Sequence, residues 1–304
     1  MRSPPAFRRL LTAAAALTSA IASLVACTPA ALLNGLVPGE GYAVVKDLTY
    51  AADERQRLDL YIPEQAGSSA PILVFFYGGS WKSGIRRDYR FIGEAFAARG
   101  YLVVIPDYRL YPAARFPTFV EDGAQALKWV EQHASRYGGD PSRIILAGHS
   151  AGAHLAALLL FDRSYLAAVG FERRWLLGLV GLAGPYVFNP LAYDSTRPVF
   201  STIDDPDQAR PIAFVDGSAP PVLLMHGEND STVELVNAHK LAARIRETGG
   251  EASVITYPQR THIGLILSIA APFRGRDSVH ADMLAFMDQL SSHPARTDAA
   301  AGGH

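Results

Sequence analysis

The chain has 304 residues, 49% of them hydrophobic and 19% charged, with 28 Lys and Arg against 29 Asp and Glu. A composition this apolar excludes a disordered chain, and the length supports one large α/β domain as readily as two small ones. The near-zero charge balance excludes the basic surface with which a nucleic-acid binder displaces phosphate counterions.

The first residues differ in kind from the rest. Arg2, Arg8 and Arg9 flank or precede the apolar run LLTAAAALTSAIASLVA, and no acidic residue occurs before Glu40. A basic start followed by such a run reads as an export signal over residues 1–26. A transmembrane anchor is the alternative, although the run is rich in Ala, Ser and Thr and is a marginal span. The single cysteine, Cys27, closes the run in LVAC, which resembles the bacterial lipobox, where the cysteine is lipidated and becomes the mature N-terminus. That resemblance implies a lipid-anchored protein of the bacterial cell envelope, facing the periplasm, with membrane contact through the anchor and residues 27–41 as a linker. A lone cysteine has no internal disulfide partner, and lipidation accounts for it.

From Tyr42 onward, short β-like runs alternate with helix-like runs, and the globular domain is expected over 42–290. AVVKDLTY and QRLDLYIP alternate apolar and polar residues, which suits an antiparallel pair at a sheet edge. PILVFFY, YLVVIPDY, RIILAG, LGLVGLAG and PVLLMHG are continuous apolar runs, the pattern of strands buried on both faces of a parallel sheet, and ASVITYP adds a last strand. Amphipathic stretches lie between them at 86–100, 116–138, 231–250 and 278–292. Gly100 and the Gly249–Gly250 pair fall where helix C-caps are expected. The alternation predicts an α/β fold: a doubly wound, mostly parallel eight-stranded sheet with helices on both faces and an antiparallel N-terminal strand pair. Residues 185–217, punctuated by Pro and Asp, read as an insertion or small cap, and 291–304 as a disordered tail.

Sites in such sheets form at the carboxyl ends of the strands. The third strand ends in YGGSW, the fifth in GHSAG, the seventh in HGEND, and QRTHIG follows the eighth. In GHSAG, Gly148 and Gly152 permit a sharp strand-to-helix turn that presents Ser150 at its tip, beside a helix N-terminus. A serine hydroxyl needs an adjacent base and a third group to orient that base. Asp230 and His262 follow in the order nucleophile, acid, histidine, at the ends of the right strands. Asp230 also suits a helix N-cap, Glu228 is a rival acid, and His262 alone would pass for a solvated loop histidine. The backbone N–H groups of Gly79 and Ser80, with that of Ala151, are candidate oxyanion donors, and Gly78 permits the turn.

Over about Tyr42 to Leu290 the chain resembles the α/β-hydrolase carboxylesterases related to hormone-sensitive lipase and the bacterial feruloyl-esterase-like group. FFYGGSW, DYRLYP, GGDPSRIILAGHSAGAHLAALLL, HGENDSTV and THIG carry the resemblance. It implies an α/β-hydrolase fold, a Ser150–His262–Asp230 triad, Asp230 rather than Glu228 as the acid, and hydrolysis of small-molecule esters; without a long cap or lid, esters of short or compact acyl or aryl type are expected. Where the family has His-Gly-Gly-x-Trp, this chain has Tyr77, which implies a changed loop anchor with catalysis retained. Amide hydrolysis of the arylformamidase or peptidase kind on the same triad stays open, as does a non-catalytic lipoprotein binding module. His149 and His154 read as packing or local hydrogen bonding. Asp107 and Arg109 read as a buried polar pair bracing the loops. Trp81, Tyr108 and Tyr111 are candidates for the substrate pocket or for plain core. No cofactor and no metal is expected, because no cluster has metal-ligand spacing and no glycine run forms a phosphate loop.

Overall fold

Runs of Val, Ile, Leu and Phe become the strands of one sheet because each has two apolar faces to bury. The computed structural model describes residues 33–65 and 69–292. Cys27, the expected export signal and nearly all of the expected tail lie outside these residues. The strands are β1 (Tyr42–Thr49), β2 (Arg57–Pro63), β3 (Ala70–Phe76), β4 (Leu102–Pro106), β5 (Gly139–His149), β6 (Leu176–Leu182), β7 (Val222–Gly227) and β8 (Ala252–Tyr257). Their order across the sheet is β1-β2-β4-β3-β5-β6-β7-β8. β2 runs antiparallel to both β1 and β4, and the remaining neighbours are parallel. Every residue of β4 and β7 is buried, whereas the edge strands β1 and β8 are partly open. This is the mostly parallel eight-stranded α/β sheet with an antiparallel N-terminal pair that the alternation of runs predicts, and the α/β-hydrolase architecture that the resemblance implies.

Among the described residues the α-helices from residue 42 onward are α1 (Arg90–Ala97), α2 (Thr118–His133), α3 (Ala151–Phe161), α4 (Arg163–Ala168), α5 (Val236–Glu247), α6 (His262–Leu267) and α7 (Val279–Ser291). α2, α3 and α5 cover one face of the sheet, and α1 and α7 the other. α3 is buried all round, as its uniformly apolar sequence requires. The sheet lies beneath it, and residues 200–209 pack over it through Phe200 and Ala209. Gly100 and Gly249 adopt left-handed conformations (φ 95° and 86°) and close α1 and α5 by bonding back to Ala97 and Arg246, as the cap reading expects.

Three local departures have physical causes. The stretch from Arg86 opens as a 3₁₀ turn (Arg86–Tyr89), where the Arg86 side chain turns inward to Asp59 and Asp107. α5 begins at Val236 rather than Ser231, because the Asp230 carboxylate closes a turn by accepting from the N–H groups of Thr232 and Val233. α4 and α6 are six residues each, too short for a helical period to show in sequence.

Arg86 is the buried cation of the N-terminal half. Its Nε donates to Asp59 at 2.9 Å, its guanidinium also meets Asp107 and Asp47, and its N–H donates to Asp107 at 2.7 Å. Removing one partner strands buried charge, which is far costlier than losing a surface pair. Arg86→Ala is therefore expected to lower unfolding free energy in urea by about 3–5 kcal/mol. A loss under about 1 kcal/mol, the surface-pair range, would contradict this account.

Candidate active site

The fifth strand ends at His149, and the chain reverses into α3 within one residue. Ser150 makes that reversal at φ 54° and ψ −122°, a region that side chains other than glycine rarely occupy. The geometry leaves no room on either flank. A Cβ at Gly148 would stand 2.4 Å from the Gly152 carbonyl oxygen, and one at Gly152 would stand 2.1 Å from that of Phe76. The two glycines are thus steric requirements of the turn. Ser150 is 8% exposed, with its hydroxyl at the N-terminus of α3.

The loops after β7 and β8 bring two further side chains to it. His262 Nε2 lies 2.8 Å from Ser150 Oγ, and His262 Nδ1 lies 2.8 Å from Asp230 Oδ2. A carboxylate only accepts, so Nδ1 carries the proton and Nε2 is free to accept from the serine hydroxyl. His262 is the first residue of α6, which Thr261 caps by accepting from the Gly264 N–H at 3.1 Å. The sequence expectation of a loop histidine is corrected here: a helix start fixes its backbone. Asp230 performs both roles that its sequence allows. Oδ1 closes its own turn at 2.8 and 2.9 Å, and Oδ2 holds His262. Glu228 is exposed, accepts from Thr256 Oγ1 at 2.7 Å, and takes no part.

Two buried histidines support this relay. His149 Nε2 donates to the His262 carbonyl oxygen at 3.1 Å, and burial together with neighbouring His262 pushes its pKa down to about 3. It is a neutral brace on the backbone of the base. His226 Nε2 donates to the Val233 carbonyl at 2.8 Å and lies 3.4 Å from Asp230 Oδ2. Sequence reading assigned it nothing, although a histidine ending an apolar strand four residues before the acid was a usable signal. His154 Nε2 donates to the Ala209 carbonyl at 2.7 Å, and burial holds its pKa near 4; its role is local bonding, as expected.

The loop after β3 presses against the nucleophile. A Cβ at Gly78 would lie 3.1 Å from Ser150 Cβ. Gly79, Ser80 and Trp81 have successive positive φ angles of 126°, 52° and 59°, and the Gly79 carbonyl accepts from Lys82 and Ser83, each at 3.0 Å. Beneath the loop, Tyr77 donates its hydroxyl to Asp107 Oδ1 at 2.7 Å, receives Arg55 at 3.0 Å, and stacks between Tyr89 and Tyr108. The tyrosine in the place of the family's histidine is thus a rigid anchor of different chemistry.

Two readings need correction. Asp107 and Arg109 are not a pair: Asp107 holds Arg86 and Tyr77, whereas Arg109 clasps Asp122 through Nε and Nη2. Tyr108 is fully buried and donates to the Tyr77 carbonyl at 2.7 Å, so it braces the loop and walls no pocket. Trp81 is 3% exposed, stacked on Phe188 and edge-on to Phe200 and His154. Tyr111 is half-buried, with Lys82 and Arg115 over its ring.

Asp230 carries an electrostatic signature. Burial raises its pKa, but bonds from His226 and His262 and the N–H groups of Val233 and Thr232 outweigh burial and hold it far below the ordinary 3.8. Its ionised form therefore stabilises the fold above that value, and the contribution is lost as pH falls through and below it. Between pH 5 and pH 3, wild type is expected to lose about 1 kcal/mol more unfolding free energy than Asp230→Asn. Equal losses in urea titrations at the two pH values would contradict the arrangement.

Residues 58–165 match the BD-FAE family model. The chain is 28% identical over 279 residues to a probable isoprenylcysteine alpha-carbonyl methylesterase of Oryza sativa subsp. japonica, covering 85% of this chain and 67% of that protein. It is 29% identical to esterase LipQ of Mycobacterium tuberculosis, covering 79% and 61%. The chain spans about half to two thirds of the length of these and similar curated relatives. Esterase B of Lactobacillus rhamnosis has the same fold at a TM-score of 0.74 and 23% identity, covering 94% of this chain and 97% of that one. The chain has the α/β-hydrolase fold, and the curated relatives it resembles over most of its length are named esterases.

Proposed function

We propose that the protein hydrolyses carboxylic esters of short or compact acyl or aryl type through an acyl-enzyme on Ser150. The observation that carries this reading is the unbroken relay from Asp230 through His262 to Ser150, each link at 2.8 Å. As Ser150 Oγ attacks the ester carbonyl, His262 Nε2 takes its proton, and Asp230 stabilises the imidazolium that forms. The N–H groups of Gly79, Ser80 and Ala151 receive the oxyanion, where one preorganised donor is worth about 3 kcal/mol. His262 returns the proton to the leaving alcohol and then activates the water that releases the acid. We assign the face enclosed by Trp81, Phe188 and Phe200 to the acyl side, where the close aromatic packing favours a small acyl group.

Cys27 is proposed as the lipidated residue of an exported protein held on the envelope membrane, because an apolar run that ends in LVAC meets the requirements of such a signal. Among the described residues no helix is long and apolar enough to cross a membrane. More than one acyl chain gives stable attachment.

Ser150→Ala is expected to lower kcat on p-nitrophenyl acetate by about 10,000-fold or more with little change in thermal unfolding. A variant that retains a tenth of the activity would overturn the mechanism. Faster turnover of N-formylkynurenine than of any ester in the same assay would move the assignment to amide hydrolysis. Cys27→Ser is expected to release the protein from membranes into the soluble fraction, and unchanged membrane association would sink the anchor.

A further inference from the structure

The mechanism leaves one large apolar feature unused. A cleft of about 480 Å³ adjoins the relay, walled by Leu33, Leu36, Tyr89, Ile266, Leu267 and Phe273. Small-molecule sites have volumes of about 300–1,000 Å³. Asp88 is the one charged residue among those that line it. Leu36 and Ile263 stand at it 64% and 56% exposed, a placement of large apolar side chains that water does not favour and a bound apolar group would.

The position of the cleft states which part of an ester it serves. His149, the residue before Ser150, lines it, and the His149 ring centroid is 4.7 Å from that of His262. Ile263, Ile266 and Leu267 belong to α6, the helix that His262 begins. The histidine must pass its proton to the departing oxygen, so the alcohol part of the substrate lies on the side of His262. On the side assigned to the acyl group, Trp81 is enclosed by aromatic rings, 5.8 Å from Phe188 and 4.9 Å from Phe200.

We propose that this cleft binds an aliphatic alcohol moiety, so that the preferred substrates are short-acyl esters of medium-chain apolar alcohols. The inference rests on the esterase reading above and adds the side on which size is accepted. In the reaction, Ser150 Oγ bonds to the acyl carbon as the bond from that carbon to the alkoxy oxygen breaks. The alcohol leaves with the proton from His262, and water then releases the short acid and restores Ser150. The N-terminal segment is part of this site. Leu33 and Leu36 wall it, and Asn34 fastens the segment by donating to the Arg87 carbonyl at 2.7 Å. Leu33 is six residues after Cys27, a reach of about 20 Å when extended. An anchored enzyme would therefore hold the cleft close to a bilayer, where aliphatic esters collect.

Hexyl acetate and ethyl hexanoate are isomers that differ in which side of the ester is long. Measured by pH-stat on the purified full chain, kcat/KM for hexyl acetate is expected to exceed that for ethyl hexanoate at least tenfold. Leu36→Glu, on an exposed side chain, and Ile266→Trp, which fills the cleft, are each expected to lower the ratio of hexyl acetate to ethyl acetate turnover fivefold or more. Should Ile266→Trp fail to fold, Leu36→Glu decides. Equal or reversed preference between the isomers, or variants whose ratio stays at the wild-type value, would overturn the assignment while leaving the esterase reading intact. No turnover of any of the three esters would remove the esterase reading itself.

Discussion

Ser150 sits at φ 54° and ψ −122°, a backbone state costing of order 1–3 kcal/mol that persists only when the surroundings impose it. β5, α3 and the end of β3 supply those surroundings: α3 meets β5 too closely for a Cβ at Gly148 and meets Phe76 of β3 too closely for one at Gly152. The rest of the site is arranged around this constraint. The turn fixes the serine hydroxyl at a helix N-terminus, Gly78 packs against its Cβ, and parallel pairing of β5 with β3 and β6 carries the turn to the same sheet edge as the loops after β3 and β7. A strained residue on central strands, rather than on a surface loop, gives the nucleophile a position that neighbouring loops can be built to match.

The electrostatics divide labour among four histidines near the sheet edge. His149 and His154 are buried and held neutral, so they serve as hydrogen-bond struts, whereas His262 is tied to an ionised carboxylate. The Asp230 carboxylate is itself held by three donors, the N–H groups of Thr232 and Val233 and Nδ1 of His262. Environment alone separates these roles, because the four side chains are chemically identical. His149 links the two arms of the site, preceding the nucleophile in sequence and bonding the backbone of the base in space.

Much of this was legible in the sequence because it rests on local rules. Continuous apolar runs announced buried parallel strands, and Gly-His-Ser-Ala-Gly at a strand-to-helix junction announced a turn with a steric reason for both glycines. The order of Ser150, Asp230 and His262 along the chain carried the rest, although each residue alone had an ordinary explanation. Long-range pairing was less visible. Asp107 and Arg109 look like partners because they are two residues apart, yet both lie past the end of β4, where they find Arg86 and Asp122 instead. Tyr108 looked available to substrate because Tyr is amphipathic, but its hydroxyl is consumed by the Tyr77 carbonyl below the loop. The cleft beside α6 was invisible for a similar reason: its walls come from 33–36, 84–91 and 263–273, segments that only the fold assembles.

The account stands on Ser150 being the nucleophile and on His262 making it so. A fluorophosphonate probe forms a covalent bond to an activated serine, and peptide mapping by mass spectrometry locates it. The account predicts a single adduct on the peptide containing Ser150, formed at least 1,000-fold more slowly in His262→Ala, since loss of a triad member lowers turnover by about 10⁴–10⁶. An adduct on another residue, or labelling of Ser150 at an unchanged rate without His262, would contradict it.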